Sequence, residues 1–369
     1  MHKKEKMYEQ WLKILHHSPR PAGSKNEQTI KNWLKAAIAE EGYEASSQKF
    51  PYTSWQLTYF SGLKQLHPVK DTIESFPAVG STSAENIHGY VQRIGYTNIW
   101  DMYKWPRYAV VDKEGSVLAY ITARPDGEVL SQTLLEEWAF PHLIIGTSTY
   151  SKWEESFRKG EKVVVSFSLE TKMEPRFDGE NISVSLSNRE NKDAVVVGAH
   201  YDSMYNTRGA YDNASGTAVL LELIRTIKPE QLPVHVNIVF FGSEELLLSG
   251  SKAYVQSMKE KREMPRCMLN IDGIGRGEVL ESWSTSNIER KLAYADLEKR
   301  KLFPNSSVVI PPPPGSDHHP FVKAGCEALM LTVNDQEIIH TFKDEPDTNI
   351  FENMKKVVKY VKFILENYK

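Results

Sequence analysis

The stretch GAHYDSMYNTRGAYDNASG, Gly198 to Gly216, sets His200, Asp202 and Asp212 among small and turn-forming residues. The apolar run DAVVV precedes it and TAVLLELI follows it. A short β-branched run bounded by a turn reads as a strand buried on both faces. The second run has helical apolar spacing and predicts a helix from near Ser215. Chargeable groups at such a strand-to-helix turn lie where open α/β sheets bind ligands, beyond the carboxyl ends of their strands.

Working outward, the same alternation repeats. HVNIVFFG, CMLNIDGIG and EALMLTV read as strands, EELLLSGSKAYVQSM as a helix, and NIFENMKKVVKYVKFILENY as a closing amphipathic helix. This predicts an α/β fold with a mostly parallel central sheet flanked by helices. Glu244 and Glu245 follow one strand, Asp272 follows MLNI, and His340 follows LMLTV and a short loop. Separate segments thus deliver chargeable groups to one sheet edge. Imidazole with carboxylates suits Zn²⁺ or a similar ion. Two metals roughly 3.5–4 Å apart need a bridging carboxylate, terminal ligands on each side and a free base beside the water. Plainer roles exist for each residue: Asp212, Asn213 and Ser215 as helix caps, Glu244 and Glu245 as dipole partners, Asp272 before Gly273 as a turn. Those roles do not explain why all of them fall at one edge.

The rest of the chain carries no such cluster. Residues 5–18 and 25–41 show helical spacing around the loop PRPAGS, Gly42 is placed to end the second helix, and YEASSQKFPY reads as a strand. From 62 to 168 the short β-rich runs RYAVVD, SVLAYITA, HLIIGTS and KVVVSFSLE are separated by turn residues, with LLEEWAF and YSKWEESFRKG as helix candidates. Pro311–Pro314 is a stiff spacer before GSDHH. The net charge of -3, from 45 basic and 48 acidic residues, leaves no polybasic footprint for nucleic acid. Cys267 and Cys326 cannot form a disulfide framework and read as small buried hydrophobes. No run approaches about 18 apolar residues, so no membrane span is expected. The start MHKKEKMYEQWLKIL lacks an apolar signal region, so the chain as written reads as cytoplasmic, or secreted had a signal been removed.

The blocks GAHYDS, AYDNASG, SEELLLSGS, NIDGIG, GSDHHPFVKAG and IIHTFKD, in that order, resemble the signature blocks of the M28 family of co-catalytic zinc aminopeptidases. RPAGSKNE and EGYEASSQKF resemble that family's opening segment, so the likeness covers roughly 1–60 and 180–369. FPHLIIGTSTYSKWEESFRKGEKVVVSFSLE resembles, more loosely, the protease-associated (PA) domain that some members insert. The resemblance implies a catalytic domain of 1–61 and 169–369 around a PA-like insert of 62–168. It implies an aminopeptidase acting on peptides with a free N-terminus, with two Zn²⁺ per chain or Co²⁺ or Mn²⁺ in their place. By motif position, His200 and Asp272 hold one metal, Glu245 and His340 the other, and Asp212 bridges them. Asp202 orients His200, and Glu244 is the general base. The chemistry alone leaves His318, His319 and His340 open as ligands; the family's H-T-x-x-D block selects His340. Some members carry a tyrosine just before that histidine to help stabilise the oxyanion, where this chain has Ile339, so that donor is unassigned. A carboxypeptidase or dipeptidase and a single-zinc glutaminyl cyclase are alternatives on the same core. A receptor or scaffold would be expected to lose ligands that are all retained here. Region 280–316, with ESWSTSN and PPPPGSD, is the expected lining of the first substrate pocket. Side-chain preference and oligomeric state are not legible.

Overall fold

The computed structural model describes residues 5–134, 140–187, 194–285 and 293–368. They form two compact units. The first is Met1–Tyr52, Arg176–Ile339 and Lys343–Lys369; the second is Thr53–Pro175 with His340–Phe342.

The first unit is built on a sheet with strand order Ser307–Val309, Glu281–Ser284, Glu327–Val333, Cys267–Ile274, Ala194–His200, His235–Phe241 and the end of Val164–Ser185. The central four strands are parallel. Glu281–Ser284 and Val164–Ser185 pair antiparallel on either flank. Alternation within one strand shows why its sequence is apolar throughout. Val195, Val197 and Ala199 enter one core, while Val196 enters another with Phe241, Met268 and Phe321. The first core also holds apolar faces of the helices Lys6–His16, Lys25–Glu40, Ser215–Thr226 and Thr348–Asn367. The second holds those of Ser249–Lys261 and His318–Lys323. Burial on both faces is what a continuous Val-rich run satisfies and an alternating one does not. Two helix starts carry side-chain caps: Ser24 accepts the Glu27 N–H at 3.0 Å, and Asp347 accepts the Asn349 N–H at 2.7 Å.

One helix begins later than its sequence suggests. EELLLSGSKAYVQSM reads as helical throughout, but the helix is Ser249–Lys261. Glu244 to Leu248 form a turn in which Leu247 and Leu248 take φ of 64° and 58°. The helix crosses the preceding strand closely at its own start: a Cβ on Gly250 would lie 2.2 Å from the Gly242 carbonyl oxygen. The turn carries the chain from strand to helix within that spacing, so the two glutamates project from the turn and not from a first helical turn.

In the second unit, Ala84–Ile99, Tyr103–Val111 and Val117–Ala123 form an antiparallel run. Val117–Ala123 pairs parallel with His142–Ile145, which pairs with Ser75–Pro77. The helix Thr147–Arg158 supplies Trp153 to a core of Leu63, Val91, Tyr108, Ile121, Leu143, Val165 and Phe167. Most of the helix candidate LLEEWAF, residues 135–139, lies outside the described residues. No helix among the described residues is long and apolar enough to cross a membrane.

Candidate metal centre

His200 is the last residue of its strand and is 1% exposed. The Thr217 hydroxyl donates to its carbonyl at 2.8 Å, tying the strand end to the helix that follows. Three carboxylates approach one edge of its ring: Nε2 lies 3.0 Å from Asp212 Oδ1, 3.3 Å from Asp272 Oδ1 and 4.0 Å from Glu244 Oε2. Two sets of ligand atoms, His200 with Glu244 and Asp272, and His200 with Asp212 and Glu245, each lie within 4.8 Å of one another. Asp202 sits 3.5 Å from the other ring nitrogen, at the edge of hydrogen-bonding range. Its two oxygens accept the backbone N–H groups of Glu244 at 3.1 Å and Glu245 at 3.3 Å.

Local structure explains the placement of the other two acids. Asp212 lies in a non-helical turn, joined by a cis peptide to Asn213. Its N–H and that of Tyr211 donate to the Asp344 carboxylate at 3.1 and 2.6 Å. Asn213 does the capping: its side chain accepts the Gly216 N–H at 2.9 Å and donates to the Ile271 carbonyl at 2.9 Å. Asp212 is thereby left to face His200. Asp272 sits at an irregularity where the pairing register shifts between Ile271 and Ile274. Gly273 takes φ of 69° there with the Tyr211 ring 2.7 Å from where a Cβ would be, which only glycine allows. The Ser316 hydroxyl donates to Asp272 and accepts from the Asn270 amide at 2.7 Å.

The charges in this pocket do not balance by themselves. Burial alone would push the His200 imidazolium down, but the charges of Glu244 and Asp272 and hydrogen bonds to Asp202 and Asp212 outweigh it and carry its pKa well above the usual value. Burial pushes the Glu244 carboxyl well up, against the pull of His200, with Glu245, Asp317 and Asp272 adding to the rise. Asp317 is raised to about 7, by burial first. Buried carboxylates this close repel one another unless protons or cations sit between them. The donor set fits a metal: one imidazole and four carboxylates, buried, with oxygens on the same face as Nε2.

His318 is buried but donates from Nε2 to the Pro313 carbonyl at 2.7 Å and meets the Trp283 ring edge-on at 6.2 Å. Burial pushes its imidazole down to about 4, so the ring is neutral. His340 belongs to the second unit, where its carbonyl accepts the Ser131 N–H at 3.0 Å, its Nδ1 lies 3.2 Å from Gln132 Oε1 and its ring meets Trp100 edge-on at 5.9 Å. It is not among the residues that the first unit brings together. Sequence reasoning gave no role to Asp344 or Ser316, although each falls in a quoted block, and read Asn213 only as a helix cap. Their work is done on backbone groups and on a neighbour's carboxylate, and the residue type alone does not announce it.

Residues 181–362 match the family description Peptidase family M28. Aminopeptidase YwaD of Bacillus subtilis is 33% identical over 156 residues, 41% of this chain and 34% of that protein. An aminopeptidase of Pseudomonas aeruginosa is 41% identical over 83 residues, 22% of this chain and 15% of its own length. The aligned stretches therefore span well under two thirds of these relatives. A peptidase M28 precursor from Shewanella amazonensis shares the fold, with a TM-score of 0.78 at 15% identity over 98% of this chain and 93% of that one. So does BSAP, a zinc aminopeptidase from Bacillus subtilis, with a TM-score of 0.72 at 20% identity over 97% and 93% of the two chains. The family match rests on the segment that supplies His200, Asp212, Glu244, Glu245 and Asp272, and that segment, residues 181–362, belongs to peptidase family M28.

Proposed function

We propose that this chain is a metal-dependent aminopeptidase that removes N-terminal residues from peptides. The observation that carries the reading is the convergence of Asp212, Asp272 and Glu244 on one buried edge of His200. Two zinc ions would supply Lewis acidity and a water acidic enough to act as a nucleophile near neutral pH. His200 and Asp272 would hold one ion, Glu245 and His340 the other, with Asp212 shared; the part given to His340 rests on its H-T-x-x-D block. Glu244 is the general base. Its buried carboxyl, 4.0 Å from His200 Nε2, would take a proton from water and return it to the leaving amine. Asp202, by holding the N–H groups of both glutamates, lets one side chain ligate while its neighbour stays available for proton transfer. The carboxylate-rich wall favours an ammonium group, which supports a substrate with a free N-terminus. Residues 62–168 would be a PA-like insert.

The test uses one pentapeptide with a free or an acetylated N-terminus, incubated with the zinc-loaded full chain and followed by mass spectrometry with a chelator control. Stepwise loss of N-terminal residues from the free form alone, abolished by chelator, is expected. Cleavage of the acetylated form from its carboxyl end would replace this reading with a carboxypeptidase.

A further inference from the structure

The block RPAGSKNE opens with Arg20, which has no place in the ligand set yet is among the largest fully buried side chains. Its guanidinium donates from Nε to the Tyr201 carbonyl at 2.8 Å, from Nη1 to Ser18 Oγ at 2.9 Å and the Arg208 carbonyl at 2.7 Å, and from Nη2 to the Gly209 carbonyl at 3.0 Å. Its backbone is fixed as well: the Arg20 N–H donates to Ser203 Oγ at 3.1 Å, and the Ser203 N–H donates to the Arg20 carbonyl at 3.3 Å. Among the described residues, every acceptor of the guanidinium is uncharged. A buried cation held by neutral oxygens is costly to keep, so the arrangement calls for a reason.

The reason lies in what those carbonyls belong to. Tyr201 follows His200 directly, and Gly209 stands three residues before Asp212. The segment between them has no helix or strand of its own, so no regular ladder fixes the separation of the two acid- and imidazole-bearing ends. The planar guanidinium fork spans that segment, gripping its first carbonyl and its last two. Gly209 lets it approach: a Cβ there would stand 2.3 Å from the Asp212 carbonyl oxygen and 3.1 Å from Arg20 Nη2. On the next turn the Asp344 carboxylate takes the N–H groups of Tyr211 and Asp212. A cation thus holds carbonyls and a carboxylate holds amides of one short run of backbone. Burial outweighs the upward pull of Asp344, Asp202, Asp212 and Glu245 and lowers the guanidinium to about 10, so it stays charged at neutral pH.

We propose that Arg20 is a positioning residue of the metal centre, setting through the Tyr201–Gly209 backbone the separation of His200 and Asp212 and hence the affinity for zinc. This rests on the metal-centre reading above. Lysine, whose donors all sit on one nitrogen, cannot reproduce a grip that uses three separate guanidinium nitrogens.

Zinc affinity of the full chain, measured by competition with a chromophoric chelator, tests this without any peptide. The variants are Arg20→Gln, Arg20→Lys and the milder Ser18→Ala, each checked by thermal unfolding of the zinc-free protein. Folded Arg20→Lys is expected to bind zinc at least about tenfold more weakly, the scale seen when a residue behind a metal ligand is lost. Ser18→Ala is expected to lose a smaller factor, and kcat to fall in each with little change in KM. If both Arg20 variants fail to fold, Ser18→Ala decides alone. Wild-type zinc affinity in every folded variant, with only stability reduced, would overturn the proposal and leave Arg20 a structural residue. Tight zinc binding by the wild type without peptide cleavage would sink the aminopeptidase reading and leave this one standing. Zinc binding by the wild type no tighter than by Asp212→Ala would sink both.

Discussion

Asp202 divides its two oxygens between the backbones of Glu244 and Glu245 and stands further, at 3.5 Å, from the histidine it was expected to orient. A residue placed that way governs the proposed base and a ligand together. Asp202→Asn turns one acceptor into an amide that points N–H at N–H, so the glutamate turn must shift. The expected result is a loss of about 10–100-fold in both zinc affinity and turnover, read by chelator competition and by peptide hydrolysis. A drop in turnover with zinc affinity intact would mean that Asp202 serves only the base. Glu244→Gln and Asp212→Ala separate the two jobs further. Glu244→Gln keeps size and removes the proton acceptor, so zinc content should persist while kcat falls by about 10²-fold or more. Asp212→Ala removes the carboxylate nearest to His200 Nε2, so zinc itself should be lost by elemental analysis. Full zinc content in that variant would rule out a bridging role.

At the scale of elements, the helix Ser215–Thr226 is set against the Asp272 strand through one glycine. A Cβ on Gly216 would lie 2.4 Å from the Ile271 carbonyl oxygen and 2.4 Å from Asn213 Oδ1. The first of these is backbone and cannot swing away. Gly216→Ala should therefore push the helix off the strand, lowering stability by about 1–3 kcal/mol and weakening zinc binding, because Asp212 precedes the helix and Asp272 lies on the strand. Urea unfolding and chelator competition on the same sample check both. The elements that build this site were the legible part of the sequence. Ala194–His200, His235–Phe241 and Cys267–Ile274 are apolar because both faces are buried, and the site residues stand where those runs end. Less legible was the passage between units. The chain crosses at Tyr52–Thr53 and Pro175–Arg176 inside the continuous strands Ser46–Phe60 and Val164–Ser185, where no turn or change of composition marks a boundary. The turn at Glu244–Leu248 was hidden for a different reason. Its left-handed residues are leucines, which by type favour helix, and the close approach of Gly250 to Gly242 overrides that preference. Arg20 and Asp344 were quoted without a role because a hydrogen bond to another segment's backbone leaves no periodicity to read.

Across the whole molecule, the second unit encloses a buried histidine of the opposite kind to His200: the acids around His200 raise its pKa, whereas His142 is held neutral. His142 is 2% exposed, with Nε2 2.8 Å from the Thr122 hydroxyl, which lies 2.9 Å from Thr97 Oγ1. Burial pushes its imidazole down to about 3, with the charge of Arg107 adding to the fall. In the unfolded chain the same group titrates near 6.5. Between those values the unfolded state binds the extra proton, so stability rises with pH across that window. The contribution is complete above about 6.5 and is lost as pH falls toward 3, reaching on the order of 3 kcal/mol at pH 4. Lowering the pH from 7 to 4 should therefore speed hydrogen exchange in His142–Ile145 and in the helix Thr147–Arg158 that follows it. His142→Gln keeps a partner for Thr122 but cannot take the proton. In that variant the exchange rates of these two segments should change much less over the same interval, after correction for intrinsic exchange. Equal acid sensitivity in the variant and the wild type would show that other groups carry the loss, and that His142 is protonated without opening this unit.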